Sequence, residues 1–341
     1  MTYRMTFGCG ALIALLSAEA RALDLVLPTP NRALFDDGGP AFYMYVNRSF
    51  EGDSSHPWQG GQYGFWRNPI RTAGGILYTR FHEGLDIRPL KRDASGEPMD
   101  PVWAVAAGKV VYANETPGRS NYGRYVVIEH IWDGCPYYTL YGHLKSVAVH
   151  KGDTVGQSQI IGALGYTGVG VDRERAHLHF EINLLANRKF DSWHGKFMKE
   201  PNWHGMYNGL NLFGLDPARL FLQNAKNPKL TIPQFLAGEE PFYKVRIPNP
   251  GTIDILTRYP WLCGGVDPSS PPTWEIAFTK SGLPLRFRPL AEPIPGPQLA
   301  DVKATQASPY YQTLGRVTRS GSKTGLTENG VRFLRVFTWP D

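Results

Sequence analysis

The chain has 341 residues, 42% of them hydrophobic and 19% charged, with 37 glycines, 28 prolines and a formal charge of +6. That length accommodates two domains or one heavily decorated domain, and the hydrophobic share supports a packed core. The glycine and proline content suits a turn-rich β protein rather than a helical one, and basic residues scattered without a Lys/Arg block or a recognition motif argue against nucleic acid as a partner.

The first 22 residues read as a secretory signal peptide. Arg4 lies in a short basic region, an apolar stretch covers 6–16, and small residues end in Ala18-Glu19-Ala20-Arg21-Ala22, with cleavage expected after Ala20 or Ala22. This stretch falls short of the roughly 20 apolar residues of a membrane helix, and no other segment approaches that length, so no stable membrane span is expected in the mature protein. Export to the periplasm, the cell envelope or the exterior is the expected destination. Cys9 stands at the start of the apolar stretch rather than its end, which argues against a lipid anchor. Loss of Arg4, Glu19 and Arg21 leaves a charge of about +5, which favours association with an anionic polymer and equally serves solubility. Residues 23–73, rich in Gly, Pro and aromatics, form a leader that covers or flanks the groove of the domain beginning at residue 74.

A strand-like run at 76–81 leads into Phe81-His82-Glu83-Gly84-Leu85-Asp86, where Gly84 permits a tight turn. The pair His82-Glu83 begins like the helical H-E-x-x-H of one zinc peptidase class. Asp86 stands where that motif needs histidine, however, and Gly84 opposes helix. A second run, 137–144, carries His143 in Tyr141-Gly142-His143-Leu144. In Ala176-His177-Leu178-His179-Phe180-Glu181, two histidines one residue apart leave the same face of a strand. Four histidines and one aspartate from three strands can thus converge. Zinc takes three or four N, S or O donors, and a catalytic ion keeps one position for water. His130 and His150, each near a strand end, read as hydrogen-bonded core histidines. His56, His194 and His204, in Gly/Trp-rich loops, read as surface or packing residues.

On these motifs residues 75–183, about a third of the chain, resemble the M23 family of zinc metallopeptidases, the lysostaphin and LytM type of cell-wall endopeptidase. The resemblance is carried by His82-x-x-x-Asp86, the glycine-bearing stretch 101–111, Tyr122-Gly123-Arg124, Tyr141-Gly142-His143-Leu144, Gly152-Asp153-Thr154-Val155-Gly156, Gly162-Ala163-Leu164-Gly165-Tyr166-Thr167-Gly168 and His177-Leu178-His179-Phe180-Glu181. It implies a mainly β fold with an antiparallel β-sheet peptidase core over 74–222. It implies one zinc ion held by His82, Asp86 and His179, with His143 and His177 as the catalytic histidines beside it. His177 is favoured as general base, with His143 stabilising the oxyanion or passing a proton to the leaving amine; sequence does not separate these roles. The implied activity is that of a secreted zinc-dependent endopeptidase hydrolysing peptide bonds in peptidoglycan stems or cross-links, so the implied partner is a peptidoglycan peptide. The alternative is a noncatalytic wall-binding or regulatory protein that recruits or activates another murein hydrolase.

The chain departs from the family pattern in three places. Residues 169–176 are charged where the family has a short Ser/Thr/Gly-rich turn, and this loop is placed to line a substrate groove. An insertion at about 186–214 precedes Leu215-Asp216-Pro217, which resembles the closing Asp-Pro turn of the family. Its Trp193, His194, Trp203, His204 and Tyr207 serve either as a substrate lip or as packing, with packing favoured. Residues 223–341 form a β-rich C-terminal region with strand-like runs at 242–247, 252–257, 274–278 and 331–337. A Pro-rich stretch at 290–297 reads as a linker, and the region serves in wall targeting or in packing. With Cys9 removed, Cys135 and Cys263 form one disulfide, which would contribute ~4 kcal/mol, or remain two unrelated thiols.

Overall fold

The computed structural model describes residues 23–305 and 308–340, and the chain in it is mainly antiparallel β, as expected. The signal peptide expected at 1–22, with Cys9, lies outside the described residues. A hairpin of β1 (Trp66–Thr72) and β2 (Gly75–Phe81) leads into the short strand β3 (Leu85–Ile87). The central sheet adds β4 (Gly108–Asn114), β5 (Tyr125–Trp132), β6 (Cys135–Gly142), β7 (Thr154–Val155), β8 (Leu178–Leu185) and β9 (Leu212–Leu215). Its order is β7-β4-β5-β6-β8-β9. Strands β3 and β9 share one edge of β8, since Leu178 to Phe180 pair with β3 and Ile182 to Leu185 pair with β9.

Local chemistry explains the central hairpin. Asp133 and Gly134 connect β5 to β6 with φ of 50° and 73°, the two left-handed positions of a type I′ turn, for which Asp-Gly is a favoured pair. The turn fixes the register Trp132 opposite Cys135 and, six pairs on, Val126 opposite Tyr141.

Strand β8 is buried along its whole length, and its two faces do different work. Leu178, Phe180, Ile182 and Leu184 enter a core that runs from Leu23 to Phe337. By the two-residue period, His179, Glu181, Asn183 and Leu185 turn to the opposite face. There Leu185 joins a smaller cluster with Tyr125, Val127, Tyr138, Leu140 and Leu212, roofed by Met206 and Tyr207 of the insertion. Residues 186–214 thus cover the part of the sheet that extends beyond His179. Most aromatics of this segment pack: Trp193 stacks on Phe190 at 5.1 Å within the helix α1 (Phe190–Phe197), and His204 bonds to the Tyr112 hydroxyl at 2.8 Å. Trp203 is the exception, being 55% exposed with the Arg119 guanidinium 5.0 Å from its ring.

After helix α2 (Pro217–Lys226), capped by Asp216, four strands form a second sheet: β10 (Tyr243–Pro248), β11 (Thr273–Phe278), β12 (Pro284–Leu290) and β13 (Gln298–Val302), in the order β12-β11-β10-β13. The runs 252–257 and 331–337, expected as strands, instead enter the helix α3 (Asp254–Arg258) from Asp254 onward and lie within the helix α4 (Glu328–Thr338). In α3 an Asp254–Arg258 pair spans one turn at 2.6 Å. In α4 the Thr327 hydroxyl accepts from the Gly330 N–H at 2.9 Å, and Phe333, Leu334 and Phe337 recur at a spacing of three to four residues. The residues 291–297 are without regular structure, as expected of a Pro-rich connection.

Of the two readings of the cysteines, the structure has the unpaired thiols: Cys135 and Cys263 are both free and buried, and the Cys263 thiol points into its own turn, toward the carbonyls of Pro260 at 3.3 Å and Val266 at 3.2 Å. One further expectation is corrected. His150 is no core residue, its side chain being 82% exposed on a turn, beside Asp153.

Candidate metal centre

The register of the central sheet builds the site. His179 of β8 lies directly across from Asp86 of β3 on one side and from Gly142 of β6 on the other. Directly opposed residues share a face, so the His179 and Asp86 side chains emerge together, while Gly142 leaves the opposite flank open. His82 precedes β3 by one tight turn. The main chain there passes so close to β8 that a Cβ on Gly84 would sit 2.6 Å from the Phe180 carbonyl and 3.0 Å from His179 Cε1. That is why position 84 needs glycine.

Asp86 Oδ1 lies 3.0 Å from His82 Nε2 and 3.0 Å from His179 Nδ1, and these nitrogens are 3.3 Å apart. The donor atoms of His82, Asp86 and His179 form the potential metal-holding group among the described residues, and all three side chains are buried. A tetrahedral zinc with bonds of ~2.0–2.1 Å has ligand-to-ligand edges of about 3.3 Å, so the spacing fits such an ion.

The outer contacts of each donor strengthen that fit. His82 Nδ1 donates to the Gln62 carbonyl at 2.9 Å, so Nε2 carries the free lone pair. His179 Nε2 donates to Glu181 Oε1 at 2.8 Å, which leaves Nδ1 for the centre. Glu181 is itself held by the Tyr122 hydroxyl at 2.8 Å and by Asn183 Nδ2 at 3.0 Å. The Arg67 guanidinium, anchored on the Gly60 carbonyl, pairs with Asp86 Oδ2 and turns Oδ1 inward. Every donor therefore has its second polar atom occupied by protein, the outer-contact pattern that orients metal ligands.

Two more imidazoles complete the group. His143 follows β6 in the left-handed backbone region, with φ of 61°. For a non-glycine residue this costs on the order of 1–3 kcal/mol, and such outliers cluster at functional sites. Its Nδ1 donates to the Thr167 carbonyl at 2.7 Å, while His177 Nδ1 donates to the Arg175 carbonyl at 2.6 Å. Each ring is thus fixed through Nδ1, which turns Nε2 toward the centre. His177 Nε2 lies 3.3 Å from Asp86 Oδ1, and the His143 and His177 rings are 4.8 Å apart. The five residues singled out in the sequence are brought to one point.

The electrostatics follow from burial and pairing. Burial pushes the His82 imidazole down to about 4 and holds His143 well below the ordinary histidine value, where His177 and His179 act in the same direction. His179 feels the same burial, yet its hydrogen bonds to Asp86 and Glu181 carry it up to about 9. Burial would raise Asp86, but His177, His82 and Arg67 outweigh it and keep the carboxyl well below the usual carboxylate range.

Sequence reasoning missed Arg67, Gln62, Tyr122 and the supporting role of Glu181. Glu181 was findable, since it stands two residues beyond His179 on one face of a strand. Arg67 was not, because it reaches Asp86 from a separate hairpin. The charged loop at 169–176 contributes chiefly through its main chain, with Arg175 holding His177 and itself tied to the Tyr45 carbonyl at 3.2 Å.

Comparison with known proteins places this geometry. The sequence profile of peptidase family M23 matches residues 80–192. The chain is 35% identical over 125 residues to a lipoprotein NlpD/LppB homologue of Pseudomonas aeruginosa, covering 35% of this chain and 36% of that one. It is 38% identical over 92 residues to the peptidoglycan DD-endopeptidase ShyB of Vibrio cholerae, covering 27% of this chain and 19% of that one. The chain therefore spans about a third of the first relative and about a fifth of the second. Against lipoprotein NlpD of Yersinia enterocolitica it is 36% identical over 90 residues, 26% of this chain and 84% of that sequence. With the matched profile spanning His82 to His179, and a relative aligned over most of its length, the chain belongs to peptidase family M23.

Proposed function

We propose that this chain is an exported zinc-dependent endopeptidase that hydrolyses peptide bonds in the stems or cross-links of peptidoglycan. The observation that carries the reading is the convergence of His82 Nε2, Asp86 Oδ1 and His179 Nδ1 within 3.0–3.3 Å of one another, beside two imidazoles held through Nδ1 by main-chain carbonyls. The resemblance to a peptidoglycan DD-endopeptidase supports the substrate class, and the lipoprotein names of two relatives support the cell envelope as the destination. No helix of the described residues is long and apolar enough to cross a membrane.

In this reading His82, Asp86 and His179 hold one zinc ion. Zinc at this point supplies a Lewis acid for the scissile carbonyl and acidifies a water to a pKa of about 7. His177, its ring fixed through Nδ1 by the Arg175 carbonyl, accepts a proton at Nε2 from the attacking water. His143, set across from it and fixed by Thr167, stabilises the developing oxyanion or delivers a proton to the leaving amine. Arg67 balances charge on Asp86 and stays out of the reaction.

The test is release of free amines from purified wall by the metallated protein, abolished by a chelator and restored by zinc. His179→Ala is expected to lose metal, whereas His177→Ala keeps zinc and loses turnover. A zinc-loaded protein inactive on walls of every cross-link chemistry would favour the wall-binding alternative.

A further inference from the structure

His177 and His143 are aimed by main-chain carbonyls, those of Arg175 at 2.6 Å and Thr167 at 2.7 Å, so the contacts that fix these carbonyls also fix the imidazoles. Both carbonyls lie in connecting segments, outside the strands. One further segment reaches both. It is residues 88–100, which leave β3 just after Asp86 and lead into the strand Pro101–Trp103. Its own chemistry makes it stiff. Asp93 Oδ1 accepts from the Ser95 N–H at 2.8 Å, the Ser95 hydroxyl at 2.7 Å and the Glu97 N–H at 3.0 Å, and Gly96 takes a left-handed φ of 84°. Aspartate opening such a turn and glycine at positive φ are the residues the conformation requires. The main chain closes it further, with Asp93 N–H donating to the Glu97 carbonyl at 2.9 Å and Met99 N–H to the Lys91 carbonyl at 3.0 Å.

Two side chains extend from this turn. Arg92 donates from Nη1 to the Arg173 carbonyl at 2.7 Å and from Nη2 to the Glu174 carbonyl at 2.8 Å. A third bond, from Nη1 to the Gly96 carbonyl at 2.8 Å, ties the guanidinium to its own turn. The carbonyls of residues 173, 174 and 175 are consecutive, so Arg92 holds two and His177 takes the third. The planar fork of a guanidinium suits such a pair of acceptors, which the single ammonium of lysine does not reproduce. The other side chain is Glu97. Its Oε1 accepts from the Tyr166 hydroxyl at 2.8 Å, one residue before Thr167, and its Oε2 faces Lys145 Nζ at 3.4 Å, two residues after His143. Thr167 has a tether of its own, from its hydroxyl to the Leu144 carbonyl at 2.9 Å, and Arg175 has one to the Tyr45 carbonyl. The turn thus completes the support of both histidine-bearing segments.

We propose that Arg92 is a positioning residue for His177, and Glu97, through Tyr166, one for His143, so that the turn after the Asp86 strand sets the aim of both imidazoles. Arg92 acts through the main chain of residues 173–175 and not by contact with the reacting atoms. This inference rests on the peptidase reading, and its test has a readout that needs no turnover. In zinc-loaded protein labelled with 15N-histidine, the Nδ1 protons bonded to carbonyls exchange slowly with water; His177→Ala and His143→Ala assign their signals. His130 is the internal reference, its Nδ1 donating to the Ala107 carbonyl at 2.9 Å outside this turn. Arg92→Ala is expected to speed exchange of the His177 proton about tenfold, the scale of one lost hydrogen bond, and to leave His143 and His130 unchanged. Tyr166→Phe is expected to act on His143 in the same selective way. Arg92 is exposed, so its loss removes no core packing. On a soluble cross-linked wall peptide, Arg92→Ala is expected to lower kcat about tenfold, within the roughly hundredfold that such misplacement can cost, with KM and zinc content unchanged. Arg92→Lys is expected to recover only part of that loss. Unaltered exchange at His177, equal changes at all three histidines, or a loss of activity that lies in KM or in zinc content overturns the positioning role. Selective changes in exchange in a protein whose unaltered form cuts no wall would uphold the bracing and sink the peptidase reading.

Discussion

The candidate metal donors His82, Asp86 and His179 are held by residues outside the donor set. Arg67 fixes the outer oxygen of Asp86, Gln62 fixes the outer nitrogen of His82, and Glu181 fixes that of His179. Removing such an outer contact typically weakens metal binding 10- to 100-fold. Arg67→Met keeps much of the side-chain volume but frees Asp86 Oδ2 to rotate or to take the proton of a neighbouring imidazole. We expect a zinc affinity lower by about that factor in chelator competition, with the fold intact by circular dichroism. An unchanged affinity would mean that the Arg67 contact is incidental. Arg67 belongs to residues 23–73, read from sequence as a leader, and Met44 N–H also donates to the Asp86 carbonyl at 2.8 Å. The metal centre thus depends on a segment whose composition announces only turns and aromatics. The convergence of the histidines with Asp86 was legible because their spacing is constrained by strands and one tight turn, whereas Arg67 comes from a distant hairpin that no local pattern links to them.

At the scale of elements, the period of apolar residues decides what the sequence reveals. The β8 strand was legible since alternation and the His-x-His spacing agree, and the Asp-Gly pair at 133–134 marks the turn between β5 and β6. The segment Val331-Arg332-Phe333-Leu334-Arg335-Val336-Phe337 was misread as a strand because it is rich in β-branched and aromatic residues. In α4 its Phe333 and Phe337 pack on Phe213, with ring centroids 5.7 and 5.3 Å away, so tertiary burial overrides propensity. The helix start depends on Thr327, whose hydroxyl accepts from Gly330 N–H and donates to the Gly315 carbonyl at 2.6 Å. Thr327→Ala is expected to cost about 1 kcal/mol in urea denaturation. A loss below a few tenths of a kcal/mol would show that packing alone sets where α4 begins.

Across the whole molecule, the central sheet and the C-terminal region share one core and reciprocal hydrogen bonds. Tyr259 donates to the Pro136 carbonyl at 2.7 Å and accepts from Leu185 N–H at 3.1 Å, and Asn187 donates to the Val336 carbonyl at 2.8 Å. Such coupling leads us to expect that a group buried in the central sheet titrates against the stability of the entire chain. His130 is the clearest case outside the metal centre. It is fully buried, its Nδ1 donates to the Ala107 carbonyl at 2.9 Å, and burial lowers its pKa to about 4 from an ordinary value near 6.5. The folded protein therefore keeps this imidazole neutral over a range in which the unfolded chain takes up a proton. Above pH 6.5 neither state binds the proton and the group adds no pH dependence. Between pH 6.5 and 4 the unfolded state is favoured progressively, and below pH 4 the effect levels off. At 1.36 kcal/mol per pH unit, the loss between pH 7 and pH 5 is about 2 kcal/mol. Urea denaturation of the zinc-saturated protein at both pH values is expected to show this loss. In His130→Gln the pH dependence should be smaller by that amount, because glutamine does not titrate. Identical pH slopes in the two proteins would mean that His130 is protonated in the fold or open to water, and would remove it as the acid-sensitive point of the central sheet.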